Sequence, residues 1–187
     1  AKPSVVAITS ESIQEIPYYF GFGFSSRTQQ YSSEGSGSGI IVGENDDELL
    51  IATNNHVVSG ATTLSVCFVG NDVVSAEEET AETASDSTGD VNVEDAVSAK
   101  IKGTDESNDL AVIAVAKADI PQDTLAQIKI AKLDTSDDLE VGEQVVAIGN
   151  ALGYGQSVTS GWISALNRTI STEDTTGSGL IQTDAAI

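Results

Sequence analysis

The chain of 187 residues contains no methionine, one cysteine and one histidine, and sets only eight lysines and arginines against 29 aspartates and glutamates. Each shortage excludes something. A single cysteine, Cys67, cannot close a disulfide within the chain, which fits the cytosol or a bacterial envelope protein that does not rely on disulfides. The scarcity of positive charge leaves a formal net charge of −21. Such a surface repels nucleic acid and anionic membrane alike, so no nucleic-acid partner is expected. No apolar run approaches the roughly eighteen residues that span a bilayer. Without a methionine Ala1 is not read as a natural start, and both ends are read as boundaries set by cloning or by processing. Helical periodicity is nearly absent as well, which turns the reading toward sheet.

What is present is a succession of short, alternating, β-branched segments punctuated by glycine and by Asn/Asp/Ser clusters. Strands are expected over residues 4–9, 40–42, 49–53, 64–69, 99–102, 110–116, 143–149, 157–166 and 180–183. Residues 11–34 lack a clear period and are read as a long loop with an aromatic patch from Tyr18 to Phe24. The run Gly35-Ser36-Gly37-Ser38-Gly39 is read as a turn feeding the next strand, and Leu152-Gly153-Tyr154-Gly155 as a second glycine-rich turn. Nine acids fall between Asp72 and Asp95, with no lysine or arginine among them. That stretch holds too little apolar surface to offset its ordering entropy, so about residues 71–98 are expected as an exposed acidic insertion. Many short strands with turn signals predict an all-β sandwich or barrel.

The residues able to do chemistry are few. His56 follows the strand Leu50-Ile51-Ala52-Thr53, where strand opens into loop, and Asp109 begins the apolar strand Leu110-Ala111-Val112-Ile113. Taken alone, a lone histidine is ordinarily a bland surface or core residue, and an aspartate before a strand is ordinarily a turn residue. Taken together they supply a base and an orienting carboxylate, two thirds of a Ser-His-Asp device.

The wording around the pair decides between these readings. Thr53-Asn54-Asn55-His56-Val57-Val58 resembles the histidine motif of the HtrA (Deg) family of trypsin-like serine proteases. Gly103-Thr104-Asp105 with Asp109-Leu110-Ala111-Val112 resembles that family's aspartate motif. The likeness continues through Gly35 to Gly39, Val141-Gly142-Glu143, Val146-Ala147-Ile148-Gly149-Asn150 and Gly155-Gln156-Ser157-Val158-Thr159-Ser160-Gly161, and ends in Ile181-Gln182-Thr183-Asp184-Ala185-Ala186-Ile187.

This resemblance implies a trypsin-like double β-barrel, with the first barrel complete over residues 1–120, a connector at 121–139 and a partial second barrel at 140–187. It implies that His56 is the general base and Asp109 the residue that holds its tautomer, with Ile187 lining the primary specificity pocket. The family's nucleophilic serine is expected after Ile187, so residues 1–187 alone are expected to be inactive. The function implied is ATP-independent cleavage of unfolded or damaged proteins in the cell envelope, by a bacterial, possible homotrimeric protein with a PDZ module downstream and a membrane anchor outside this chain. No cofactor or metal is expected. The alternative is a peptide-binding pseudoprotease or a structural fragment, but the unspoiled motifs around His56 and Asp109 argue against drift.

Other candidates reduce to ordinary roles. Cys67 lies mid-strand and is read as a small buried hydrophobe. The glycine run lacks the lysine of a phosphate-binding loop, and Glu77-Glu78-Glu79 lacks ligand spacing for calcium. Two departures from the family pattern stand out: the length and acidity of the insertion, and Trp162 at a position where a smaller aliphatic residue is usual.

Overall fold

A computed structural model describes residues 2–18, 27–68, 96–149, 157–171 and 176–186. Its strands are β1 (Val5–Tyr18), β2 (Arg27–Glu44), β3 (Glu48–Thr53), β4 (Thr63–Phe68), β5 (Val97–Asp105), β6 (Leu110–Ala116), β7 (Gln144–Gly149), β8 (Ser157–Ser171) and β9 (Thr176–Thr183). Two short helices interrupt them, α1 (Asn55–Val58) and α2 (Gln122–Gln127). The first six strands form a closed barrel in the order β1-β2-β3-β6-β5-β4, and β7-β8-β9 form an open three-stranded sheet. Every pairing is antiparallel. This mostly-β architecture, a closed six-stranded barrel and an open sheet, agrees with the fold that the resemblance implies.

Alternation builds the barrel. Along β3, Leu49, Ile51 and Thr53 point inward while Glu48, Leu50 and Ala52 are only partly covered, the period-two pattern of a strand with one dry face. Ile51, Ile113, Ile41, Val58, Val66 and Val115 have no exposed surface at all. Each such aliphatic side chain stabilises the fold by about 1.5–3 kcal/mol relative to exposure.

The glycine run expected as a turn is instead part of β2. Its glycines are required by close approach rather than by a bend. A Cβ on Gly37 would lie 2.6 Å from Val57 Cγ2, and one on Gly39 would lie 2.6 Å from Ile51 Cγ2 and 2.8 Å from Ile8 Cδ1. Gly37 and Gly39 therefore leave room for the packed core at the barrel wall.

The expected loop at 11–34 is also replaced, among its described residues, by a long hairpin. β1 and β2 remain in register from Val5↔Ile40 to Tyr18↔Arg27, whereas β4 accompanies β1 only from Val6 to Glu11. Beyond Glu11 the ribbon has no third strand against it in that pairing, and Ile13, Ser32, Ser33 and Glu34 are exposed. Where the pairing with β4 ends, the sequence shows no clear apolar alternation. Most of the aromatic patch, from Tyr19 to Phe24, lies outside the described residues.

Of the acidic insertion expected at about 71–98, residues 71–95 likewise lie outside the description, including Glu77 to Glu79. Its expected last residues, Val97 and Ser98, open β5 and pair with Val66 and Ser65, because Val97 is a buried core residue. After β6 the chain passes through α2, and Lys129 and Ala131 donate backbone hydrogen bonds to Pro3 and Ile41 on the way to β7.

Candidate active site

The barrel ladder brings together two segments far apart in sequence. β3 ends at Thr53 and β6 begins at Leu110, and Thr53 pairs with Ala111. The chain leaving β3 and the turn entering β6 therefore meet at one end of the barrel. Thr53 is buried and its hydroxyl donates to the Ser38 carbonyl at 2.8 Å, which fixes where β3 stops. Val57 and Val58, on the other side, bury themselves in the core. His56 is thus held between two anchored points on the single turn of α1.

Opposite it, residues 105–109 form a tight turn. The Asp105 carboxylate accepts from the Ser107 and Asn108 backbone N–H groups at 3.0 and 3.2 Å and from the Asn108 side-chain amide at 2.6 Å. The Asn108 side chain, followed by those backbone donors, holds the Asp105 carboxyl below its ordinary value despite a small opposing effect of burial. The turn delivers Asp109 with φ at +51°, a left-handed conformation that aspartate tolerates better than most residues but does not prefer.

His56 and Asp109 meet twice. The His56 backbone N–H donates to Asp109 Oδ1 at 2.8 Å, and His56 Nδ1 lies 2.7 Å from Asp109 Oδ2. Burial tends to raise the Asp109 carboxyl, but the His56 backbone and ring hydrogen bonds, the His56 charge and the Asn54 amide together hold it below its ordinary value of 3.8. Asp109 is accordingly an ionised acceptor at neutral pH, and an ionised carboxylate has no proton to give. The proton between them belongs to Nδ1. In the neutral imidazole this leaves Nε2 with its lone pair free to accept a proton. The His56 side chain is 71% exposed, so Nε2 is not shut off by the barrel. Chemically, the pair is a base whose tautomer and ring orientation are fixed by a carboxylate.

The structure brings together the two sequence-predicted residues of the pair. Ile187, the third predicted site residue, lies outside the described residues. Cys67 sits in β4 opposite Ala7 and is half-buried rather than fully buried. Asn54 is the site residue that sequence reasoning missed. It stands at the cap position of α1 yet makes no side-chain cap bond there; its amide instead reaches Asp109 at the carbonyl, 3.1 Å, and at Oδ2, 3.2 Å. An asparagine at a strand-to-helix junction is an available signal, but one that points to capping. Among the described residues no group of three His, Cys, Asp or Glu side chains is arranged to hold a metal ion, and no helix is long and apolar enough to cross a membrane.

Residues 37–187 match a family model described as a trypsin-like peptidase domain. The chain is 34% identical over 190 residues to the serine protease Do-like HtrA of Bacillus subtilis, covering 99% of this chain and 35% of that protein. It is 32% identical over 205 residues to a probable periplasmic serine protease do/HhoA-like of Haemophilus influenzae, covering 100% of this chain and 37% of that protein. Among solved structures, an HtrA-type protease AlgW variant with a decapeptide superposes with a TM-score of 0.68 at 30% identity, over 100% of this chain and 49% of that one. The chain thus spans about a third of the length of these curated relatives.

Proposed function

Because the chain belongs to the HtrA/Deg family of trypsin-like peptidases, we propose that the whole protein is a serine endopeptidase that cleaves unfolded or damaged proteins without ATP. The observation that carries the proposal is the 2.7 Å contact between His56 Nδ1 and Asp109 Oδ2, with the opposite ring nitrogen left for a substrate-side proton. In this reading His56 takes the proton of a nucleophilic serine as that oxygen attacks the peptide carbonyl. It then gives the proton to the leaving amine. Asp109 holds the ring and stabilises the imidazolium while it lasts.

The serine is expected in the segment after Ile187, so the activity is proposed for the whole protein, and residues 1–187 alone are proposed to be inert. Ile187 is proposed to line the pocket for the residue before the scissile bond, favouring small or medium apolar side chains. Peptide substrates are supported by the AlgW structures with a decapeptide and a tripeptide. An extracytoplasmic site of action is supported by relatives named periplasmic. The homotrimer and the downstream PDZ module rest on the family resemblance alone. The division into a first barrel at 1–120, a connector at 121–139 and a second barrel at 140–187 is proposed on the same footing.

The test is hydrolysis of a denatured protein substrate by the full-length protein, with no nucleotide present. His56→Ala is expected to lower kcat/KM by roughly 10⁴-fold or more, and a fluorophosphonate probe is expected to label the full-length protein and not residues 1–187. Full activity of His56→Ala would overturn the role given to His56, and no hydrolysis by the full-length protein would leave a peptide-binding module.

A further inference from the structure

Asp109 is asked to do something aspartate does not do readily, to sit at φ +51° and at the same time aim one particular oxygen at a ring nitrogen. The left-handed region is disfavoured for residues with a Cβ, and such strain persists only where the surroundings over-determine it. Three consecutive residues supply that determination. The Asn55 backbone N–H donates to the Asp109 carbonyl at 3.1 Å, the His56 backbone N–H donates to Oδ1 at 2.8 Å, and the Asn54 side chain spans the carbonyl and Oδ2. Of these, only Asn54 ties the backbone of Asp109 to its carboxylate. It does so on Oδ2, the oxygen that also faces His56 Nδ1.

Resting on the catalytic reading above, we infer that Asn54 is a positioning residue of the His56–Asp109 pair: its amide fixes the rotation of the Asp109 carboxylate relative to its own backbone and shares Oδ2 with the imidazole. The geometry leaves few rivals for this role. The neighbouring carboxylate on the same turn, Asp105, is engaged with Asn108 and the backbone of 107 and 108. Glu106 meets Asp109 through its backbone carbonyl. Among the described residues His56 is the charged group that acts on Asp109. Asn54 makes no cap bond to α1, so the duty that an asparagine at a helix start usually performs through its side-chain oxygen does not account for it.

The consequence is specific. A donor on Oδ2 draws off some of the charge that would otherwise pull on the imidazolium. Removing that donor leaves a more basic carboxylate that aims less well but holds a protonated ring more tightly. Loss of the Asn54 amide should therefore slow turnover and, separately, move the protonation of His56 to higher pH.

The test uses the full-length protein with Asn54→Asp, which keeps the shape and removes the donor, and Asn54→Ala, which removes both. Both are expected to lower kcat by about tenfold, the worth of one hydrogen bond, with KM nearly unchanged. In both, the acidic limb of the kcat/KM profile should move to higher pH, further for Asn54→Asp because it adds a carboxylate. The ¹⁵N titration of the His56 ring, identified by its loss in His56→Ala, should move the same way. Wild-type rates and an unmoved limb in both variants would overturn the inference. So would a fall in rate with no movement of the limb or of the ring titration, which is what a merely structural residue would give. The broader reading fails on a different result, an active His56→Ala protein, and the ring titration still decides the role of Asn54 in that case.

Discussion

The closed barrel and the three-stranded sheet are made from the same kind of strand, yet they treat their apolar side chains differently. In the barrel Val6, Ile8, Ile41, Leu49, Ile51, Val66, Ile113 and Val115 are at most 1% exposed. In the sheet Ile163 is buried, whereas Val146, Val158, Trp162 and Ile170 are 58%, 47%, 53% and 57% exposed. Both regions alternate along the strand. Alternation assigns each side chain to a face, but closure decides whether that face is dry. The candidate pair sits on the region where closure is complete, so its geometry rests on a full core rather than on the sheet.

This contrast is most easily broken in the core. Ile113→Ala is expected to cost about 2–5 kcal/mol, against less than about 0.5 kcal/mol for Val146→Ala on the exposed sheet face; urea unfolding followed by far-UV circular dichroism compares them. Equal losses would mean that the sheet is covered in solution. A step smaller, Gly39→Ala should cost about 1–3 kcal/mol, because the new Cβ meets Ile51 and Ile8 at 2.6 and 2.8 Å, whereas a Cβ on Gly103 meets nothing within 4 Å. Gly103→Ala should accordingly leave the urea midpoint close to that of the parent.

Acid probes the end of the barrel that carries the pair. The Asp109 carboxyl titrates below its unfolded value, so its stabilising contribution is complete above about pH 4 and is lost as the pH falls through the lower folded value. Asp109→Asn keeps a residue tolerant of positive φ and should flatten that part of the stability-against-pH curve. The smallest effect is expected at the surface pair Lys102–Glu48, 2.8 Å apart and partly exposed. There Lys102→Ala should leave the unfolding midpoint within error.

How much of this was legible in the sequence differs by region for a physical reason. The strands that line the core, such as Leu49 to Thr53 and Leu110 to Ala116, announce themselves because one face must be apolar. The outer half of the β1–β2 hairpin does not, since its residues carry no clear apolar alternation. The glycines of β2 looked like a turn because composition records the absence of a side chain but not its cause, here the nearness of Val57 and Ile51. At the site, His56 and Asp109 were readable from their motifs. Asn54 was not, because its role depends on where Asp109 stands in space. The correction at residues 97–98 has its origin in the burial of Val97 against the core, and that at 11–34 in a hairpin whose pairing with β4 runs only as far as Glu11.

The pairing of Thr53 with Ala111 has a consequence in time. His56 and Asp109 are 53 residues apart, and nothing local brings them together. β3 and β6 are neighbours across the chain that forms β4 and β5, in the barrel order β1-β2-β3-β6-β5-β4. Contacts of such long sequence separation form late, since loop-closure entropy must be met before they stabilise anything. The orientation of the His56 ring is therefore a non-local property of the chain, expected to appear with the β3–β6 ladder and to be lost with it.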